Sequence, residues 1–296
     1  MLKRTLFFSN PYYLSLKNNQ LVIQSKDELS TKTVPVEDIG FVVLDHPQIG
    51  FSMKLLEILN ANNVAVVFCD SKHMPSSMLL NLDSHSLQNE LFRAQLSATE
   101  PLRKNLWKQT IEAKINNQAT MLEKSGHKAF ELRSYAKSVK SGDVENREGL
   151  AARIYWNRLL GNDFYRDRYG AAPNHLLNYG YILLRSAVAR ALSGSGLLPT
   201  LGIHHHNRYN AFCLADDIME PYRPYVDRLA LLVYSEFPDE TMLNKEMKAA
   251  MLNLMSIDVV INDNKRPLMV ALSQTTASLG RCFSGESRKI VYPVFN

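Results

Sequence analysis

The chain has 296 residues, of which 46% are hydrophobic and 21% are charged, and its formal net charge at pH 7 is +5. That length suits two domains or one large domain, and the composition excludes a disordered, collagen-like or disulfide-scaffold protein. Arg185 and Arg190 interrupt the longest apolar stretch, so we expect no membrane span. Three cysteines far apart in the sequence, and a start without the features of a secretory signal, favour a cytoplasmic protein.

Short runs rich in β-branched and aromatic residues, separated by turn residues, predict strands in the first part of the chain. The predicted strands cover residues 4–8, 13–17, 20–24, 33–36, 40–44 and 64–69. Asn18-Asn19 has the composition of a hairpin turn, and apolar residues at helical spacing after Gly50 predict one helix. The continuous apolar run at 64–69 is typical of a strand buried on both faces, and a loop is predicted at 70–75.

Beyond residue 83 the apolar residues recur at helical intervals instead. The predicted helices are 87–123, 127–140, 148–160, 176–192, 210–219, 221–233 and 242–255. The fold class is therefore α+β, with a mainly antiparallel β domain followed by a larger all-α domain. We place the β domain at 1–82, a linker at 83–90, the α-helical domain at 91–283 and a C-terminal tail at 284–296. The tail mixes turn and apolar residues, so we expect a mobile segment that could add a strand to a partner.

Charge is divided unevenly along the chain. Residues 1–90 contain 7 Lys and Arg against 9 Asp and Glu, whereas residues 101–140 alone contain nine basic and three acidic side chains. A basic excess of this kind favours a polyanion as partner, most commonly nucleic acid. A solvated helix face without a partner would carry the same residues.

Two clusters in the helical part contain residues suited to catalysis. Glu148 stands at the start of a predicted helix, where its carboxylate could face into the domain or only complement the helix N-terminus. His204, His205 and His206 are consecutive, and neighbouring side chains in an extended segment point to opposite faces. Hence His204 and His206, or His205 alone, could approach one site; a surface or core role is the alternative.

A third cluster contains acids at helical spacing. Asp217 and Glu220 are at i and i+3, and Asp216 with Glu220 forms the i, i+4 alternative. Acids this close repel each other, and a divalent cation would remove that cost. Carboxylates with one imidazole suit Mg²⁺ or Mn²⁺ better than a structural zinc, which usually recruits paired cysteines. Together with the basic surface, this pattern points to phosphodiester chemistry.

Segments along nearly the whole chain match the motifs of one family in order. They are IGFVVL at 39–44, LLEIL at 55–59, NNVAVVFCD at 62–70, EGLAARIYW at 148–156, LNYGY at 177–181, GIHH at 202–205 and DIMEPYRP at 217–224. With these segments the chain resembles the CRISPR-associated endonuclease of the adaptation module, the integrase that acquires spacers. The doubled histidine and NRYNAF at 207–212 resemble most the type II branch, which accompanies single-protein RNA-guided effectors.

The resemblance implies a set of site residues. A Glu, a His and a further acid bind one divalent ion, Mg²⁺ or Mn²⁺, and by motif these correspond to Glu148, His205 and Glu220. The Gly-x-x-His spacing of the family selects His205, and it leaves His204, His206 and Asp216 without an assigned role. The supporting residues implied are Asp217, Asn178 and Arg223. The candidate phosphate contacts are Arg133, Lys137, Arg147, Arg153, Arg158, Arg166 and Arg168.

The resemblance also implies an activity and partners. The 3′-hydroxyl of a short DNA fragment attacks a phosphodiester at the border of a repeat array, without a covalent enzyme intermediate. The partners implied are a second copy of the chain, contacted through the β domain, a small ferredoxin-like second adaptation protein, double-stranded and branched DNA, and the RNA-guided effector nuclease. Two alternatives remain open: a non-catalytic DNA-binding scaffold and a metallohydrolase of small phosphoesters.

Overall fold

The computed structural model describes residues 3–25, 31–238 and 240–296. Residues 1–2 and 26–30 of the predicted β domain therefore lie outside the described residues, as does Asp239. The strands are β1 (Arg4–Phe8), β2 (Tyr12–Lys17), β3 (Gln20–Ser25), β4 (Thr31–Pro35), β5 (Ile39–Leu44), β6 (Gly50–Phe51), β7 (Ala65–Cys69), β8 (Pro75–Leu79), β9 (Asp258–Ile261) and β10 (Asn264–Pro267). The α-helices are α1 (Met53–Ala61), α2 (Gln88–Leu96), α3 (Glu100–Lys124), α4 (Phe130–Ser138), α5 (Arg147–Leu160), α6 (Asn174–Gly194), α7 (Cys213–Met219), α8 (Arg223–Glu236), α9 (Lys245–Met251) and α10 (Leu268–Phe283).

The N-terminal strands form two four-stranded sheets. One has the order β4-β3-β2-β6 and the other the order β1-β5-β7-β8. The α+β class is confirmed. Among the described strands of these two sheets, three pairings are antiparallel and three are parallel, so parallel pairing is more frequent than the sequence indicated. Helix α1 connects β6 to β7, and a helical crossover of this kind allows β7 to lie parallel to β5.

Local turn chemistry explains the hairpin and the first helix. Asn18 and Asn19 both have positive φ, 51° and 57°, as a tight turn between β2 and β3 requires, and asparagine tolerates this region. Ser52 caps α1, and its side-chain oxygen accepts a hydrogen bond from the backbone N–H of Leu55 at 3.3 Å. Both sequence predictions are confirmed.

The sheet containing β5 and β7 is buried on both faces, as predicted for residues 64–69. Phe41 and Val43 pack into the large core of the helical part, whereas Val42 and Leu44 pack into a second core between the two sheets and α1. Alternate side chains of one strand point to opposite faces, so one strand contributes to both cores. The β region and the helices are therefore joined by continuous apolar packing.

Helix α3 lies centrally among the helices and contacts α4, α5, α7 and α8. Helix α6 is buried along most of its length and packs against α7, α8 and α9. Gly180 allows this approach, because a Cβ there would lie 2.4 Å from Cγ1 of Val226 and 2.6 Å from Cε of Met251. This packing fixes α5, α7 and α8 around the middle of α3.

The helical part is not all α, and this is a correction. Strands β9 and β10 form an antiparallel hairpin, followed by α10, which the sequence analysis also missed. Asn262 and Asp263 make its turn with φ of 49° and 59°. An Asn-Asp pair after a β-branched run was the available signal. Helix α2 begins inside the predicted linker, and the division into domains stays a prediction.

The C-terminal tail is packed, so the expectation of a mobile tail was wrong. The backbone N–H of Ile290 donates to Oε1 of Gln109 at 2.9 Å, and that of Phe295 donates to Oδ1 of Asn117 at 3.0 Å. Val294 forms an isolated antiparallel bridge with Val260. Ile290 and Phe295 are buried in the core, so the tail's apolar residues stabilise this chain.

No helix within residues 3–25, 31–238 and 240–296 is long and apolar enough to cross a bilayer.

Candidate functional site

Glu148 lies in the first turn of α5, and other residues satisfy the N-terminus of that helix. Oδ1 of Asn146 accepts a hydrogen bond from the N–H of Gly149, and the carboxylate of Asp143 accepts from the N–H groups of Arg147 and Glu148 at 2.9 and 3.0 Å. The charge complement of the helix is therefore supplied by Asp143. The carboxylate of Glu148 is left free to turn toward α3.

Lys114, on α3, lies between Glu148 and Glu220. Its Nζ is 2.5 Å from Oε1 of Glu148 and 2.5 Å from Oε2 of Glu220. Arg223, one turn after Glu220, binds the other oxygen of that carboxylate at 2.9 Å. Oε2 of Glu220 is buried, and its contact with the Lys114 ammonium is an ion pair. We call Lys114, Glu148, Glu220 and Arg223 the carboxylate–lysine cluster.

The carboxylate–lysine cluster is charged throughout. Burial alone would lower the pKa of Lys114, but the charges of Glu220 and Glu148 raise it above its ordinary value. Burial would likewise raise the pKa of Glu220, yet Arg223 and Lys114 hold it below its ordinary value. The cluster therefore combines two carboxylates with two cations in a buried position, where charges are costly unless paired.

His205 is held by Asp217, the second of the two adjacent acids on α7. Nδ1 of His205 lies 2.6 Å from Oδ1 of Asp217, and the hydrogen bond raises the pKa of His205 against the effect of burial. The fully buried carboxylate of Asp217 also accepts the backbone N–H groups of Ile203, His204 and His205 at 2.7, 3.0 and 3.1 Å. With Nδ1 engaged, Nε2 is the ring nitrogen available to a ligand.

Gly202 supplies the physical reason for the Gly-x-x-His spacing. A Cβ at Gly202 would lie 2.1 Å from the backbone oxygen of His205 and 2.8 Å from Oδ2 of Asp217. Only glycine therefore allows the loop to turn back tightly enough for the N–H groups to reach Asp217.

The remaining residues of the acidic and histidine clusters have other partners. The ring of His204 stacks on Trp107 with centroids 4.1 Å apart and planes 1° from parallel. Asp216 accepts two hydrogen bonds from Arg185, at 2.6 and 2.9 Å, and one from Asn210. His206 is exposed. These contacts favour the Asp217 and Glu220 pair over the Asp216 and Glu220 alternative.

The donor types at this site fit a divalent cation, although the side chains do not enclose one. Among the described residues, no group of three or more His, Cys, Asp or Glu side chains is arranged to hold a metal ion. Lys114 lies between the two acids, with its ammonium 2.5 Å from one oxygen of Glu148 and 2.5 Å from one oxygen of Glu220. Two carboxylates and an imidazole are ligands that Mg²⁺ and Mn²⁺ accept.

Asn178 supports a neighbouring loop. Its Oδ1 accepts a hydrogen bond from Arg166 at 2.8 Å, and its Nδ2 donates to the backbone oxygen of Arg168 at 2.7 Å. These bonds position the two arginines and do not reach Glu148, His205 or Glu220.

The other basic candidates divide into engaged and available side chains. Arg133 is paired with Glu123, Arg147 with Glu145, and Arg158 binds both oxygens of Glu131 at 2.7 and 2.5 Å. Lys137, Arg153 and Arg168 are exposed. An engaged arginine must break its ion pair to bind phosphate, so the available group is better suited to that role.

A pocket of about 460 Å³ opens beside the carboxylate–lysine cluster. Its lining combines cations, aromatic rings and one acid: Lys114, Arg153, Arg166, Arg223, Trp156, Phe164, Tyr165, Tyr181 and Asp227, with Gln118, Ala152 and Asn157. The hydroxyls of Tyr155 and Tyr181 donate to Asp227 at 2.8 and 2.5 Å, and burial raises the pKa of Asp227 to about 6. Cations beside aromatic rings are suited to phosphates and bases.

The sequence did not indicate that two residues, Lys114 and Asp227, lie at this site. Lys114 was only one of many basic residues, and its position in an apolar stripe between Ile111 and Ile115 was the available signal. Asp227 is an isolated acid near the start of α8, and no local pattern distinguished it.

A family model described as CRISPR associated protein Cas1 matches residues 6–263. CRISPR-associated endonuclease Cas1 of Neisseria meningitidis serogroup C (strain 8013) is 34% identical over 277 residues, which are 93% of this chain and 90% of that protein. CRISPR-associated endonuclease Cas1 1 of Francisella tularensis subsp. novicida (strain U112) is 26% identical over an alignment of 303 positions that covers 93% of each chain.

Solved structures share the fold. A casposase bound to integration product has a TM-score of 0.79 at 19% identity, covering 98% of this chain and 92% of its own. A CAS1 protein from Thermotoga maritima has a TM-score of 0.74 at 18% identity, covering 95% and 97%. A chain of a Cas6-RT-Cas1–Cas2 complex has a TM-score of 0.74 at 18% identity, covering 97% and 35%.

Proposed function

Because this chain belongs to the Cas1 family of CRISPR-associated proteins, we propose that it is a divalent-metal-dependent DNA endonuclease and integrase that inserts short DNA fragments into a CRISPR array. The observation that carries this proposal is that the carboxylates of Glu148 and Glu220 both contact one cation, the ammonium of Lys114. His205, oriented by Asp217, is the third donor. The charges of Glu220 and Glu148 both act on His205, so the three donors share one electrostatic environment.

In the proposed reaction, the 3′-oxygen of the incoming fragment forms a bond to an array phosphorus. The bond from that phosphorus to the 3′-oxygen of the array strand breaks, and a proton passes to the departing oxygen. Mg²⁺ or Mn²⁺ on Glu148, His205 and Glu220 would stabilise charge on the phosphate.

The protein's other residues bind and orient the DNA. Arg153, Arg166 and Arg223 line the pocket beside the cluster. The exposed Arg153 would hold phosphate oxygens, whereas Arg223 is paired with Glu220 and Arg166 is bound to Asn178. Burial of Asp217 and Glu220 keeps water from competing for their fixed hydrogen bonds and ion pairs. The nucleophile is a DNA hydroxyl, so no protein side chain needs to form a covalent intermediate.

The proposed assembly follows from the family. Two of the structures that share this fold are Cas6-RT-Cas1–Cas2 complexes, one of them partial. We propose that this chain forms a homodimer through its β region and that a small Cas2-type protein joins two dimers on double-stranded or branched DNA. The RNA-guided effector nuclease is a further proposed partner, and the proposed location is the cytoplasm.

A strand-transfer assay tests the proposal. Purified protein, alone and with the second adaptation protein, is incubated with branched DNA carrying a repeat border in Mn²⁺, Mg²⁺ or EDTA. We expect transesterification and flap resolution in metal only. Both should be lost in Glu148→Ala and kept in Glu112→Ala, whose carboxylate pairs with the half-buried Lys108 on α3. DNA binding without a metal-dependent product, even with the partner present, would instead support a scaffold.

A further inference from the structure

Lys114 occupies the centre of the proposed metal site. Its side chain is only 8% exposed, and its Nζ contacts one oxygen of Glu148 and one of Glu220, each at 2.5 Å. Lysine side chains are rarely buried unless the ammonium is paired with an acid. The two oxygens that face the ammonium are the ones that a shared metal ion would also need.

The cluster is balanced in charge without a metal ion. Lys114 and Arg223 carry two positive charges, and Glu148 and Glu220 carry two negative ones. A divalent cation added to this arrangement would meet an ammonium at contact distance and share its ligands, which is repulsive in a buried site. Metal and ammonium therefore cannot both sit between the carboxylates.

The neighbouring pocket has room for the Lys114 ammonium in a second position. The pocket of about 460 Å³ is lined by Lys114 itself, together with Gln118, Tyr181 and Asp227. A lysine side chain has four rotatable carbon–carbon bonds, so its ammonium can swing without movement of α3. In the pocket it would lie near the carboxyl of Asp227 and near water.

We propose that Lys114 is the resident counter-ion of Glu148 and Glu220, and that a divalent cation binds this site by displacing the Lys114 ammonium into the adjoining pocket. This inference rests on the proposed metal-dependent function. Lys114 then acts as a positioning residue that keeps the two carboxylates together before metal arrives. It also weakens metal binding, because its ion pairs must be broken first.

Mn²⁺ affinity of the full chain, measured by calorimetry without DNA, tests the inference. We expect Lys114→Met to bind Mn²⁺ at least about tenfold more tightly than the wild type, about 1.4 kcal/mol. Lys114→Arg keeps the competing charge and should not gain affinity. Lys108→Met is the matched control, since Lys108 lies on the same helix but in a half-buried pair with Glu112. It should stay within about twofold of the wild type.

Thermal unfolding provides a second readout. In EDTA, Lys114→Met and the milder Lys114→Gln should unfold at lower temperature than the wild type, because two carboxylates lose their shared cation. Mn²⁺ should raise their unfolding temperature more than it raises that of the wild type. A variant that folds only with Mn²⁺ would also support the displacement.

Two failures are distinguishable. If the wild type binds Mn²⁺ through His205, and Lys114→Met binds it equally or more weakly, the inference is overturned while the metal site stands. If neither the wild type nor any Lys114 variant binds Mn²⁺, both the inference and the proposed metal site are overturned.

Discussion

Two buried lysines in this protein are paired with acids, but in opposite proportions. Lys114 is shared by two carboxylates, Glu148 and Glu220. In the second case a single buried carboxylate, Asp45, is shared by two bases, Lys248 at 3.0 Å and His73 at 2.8 Å. We call Asp45, Lys248 and His73 the Asp45 cluster.

The proportion of acids to bases separates a structural pair from a site. The Asp45 cluster joins the end of β5 to α9, and its acid has all the partners it needs. The carboxylate–lysine cluster instead brings two carboxylates to one ammonium and borders a pocket. Burial and ion pairing alone therefore do not indicate function, whereas two carboxylates that share one cation beside a pocket favour a functional site.

The largest expected effect is on strand transfer. Glu220→Gln and His205→Ala should each lower its rate by on the order of a thousandfold or more, because each removes a proposed metal ligand. Most of the DNA affinity should remain, since the available arginines are untouched. Gel shift and strand-transfer rates on the same DNA check this, with His206→Ala as the matched histidine control. Wild-type rates in both variants would contradict the assignment.

A change in the Asp45 cluster should have the opposite profile. Lys248→Met leaves Asp45 buried without its lysine, and we expect the free energy of unfolding to fall by about 3 kcal/mol. Urea denaturation measures this loss. Mn²⁺ affinity should be unchanged, because the two clusters do not share residues. A large change in Mn²⁺ affinity would show that the two clusters are coupled and that the Asp45 cluster is not purely structural.

Asp227 gives a pH-dependent prediction. Its pKa of about 6 in the folded protein lies above the ordinary value of 3.8, so the folded state holds a proton that the unfolded state has released. The stability from this group is complete below about pH 3.8 and is lost as pH rises through 6.

Comparison with Asp227→Asn isolates this effect, because the amide does not titrate. From pH 4 to 6.5 the free energy of unfolding of the wild type should fall relative to the variant by about 2 kcal/mol. Denaturation curves at each pH measure the difference. A constant difference across the range would show that the carboxyl of Asp227 titrates normally.

The smallest expected effect concerns DNA affinity. Arg153→Ala should reduce the slope of log affinity against log salt by about 0.9 if this exposed arginine neutralises one phosphate. Arg158→Ala is the matched control on the same helix, since its guanidinium is bound to Glu131, and it should leave the slope nearly unchanged. Equal slopes for both variants would place the DNA elsewhere.

Local patterns predicted much of the fold, and the exceptions have physical reasons. Strands such as β1 and β5 and helices such as α5 and α6 were predictable, because the spacing of their apolar residues and their flanking turn residues are local features of the sequence. The pairing of β5 with β7 depends on packing across the molecule, which strand composition does not specify. The tail was misjudged because its backbone is bound by Gln109 and Asn117 of α3, far away in the sequence.

The same distinction applies to the candidate site. Glu148, His205 and Glu220 came from family motifs, and Gly202 now explains the spacing of one of them. Lys114 could not be placed from the sequence, because its partners lie 34 and 106 residues away. A lysine in an apolar helical stripe signals only that it needs a buried acid.

Pulsed electron paramagnetic resonance of the Mn²⁺-loaded chain tests whether His205 is a ligand of the proposed metal site. If Glu148, His205 and Glu220 hold the ion, the spectrum should contain a coupling to imidazole nitrogen that disappears in His205→Ala and persists in His204→Ala. Bound Mn²⁺ without nitrogen coupling, or with coupling that survives in His205→Ala, would contradict the proposed site.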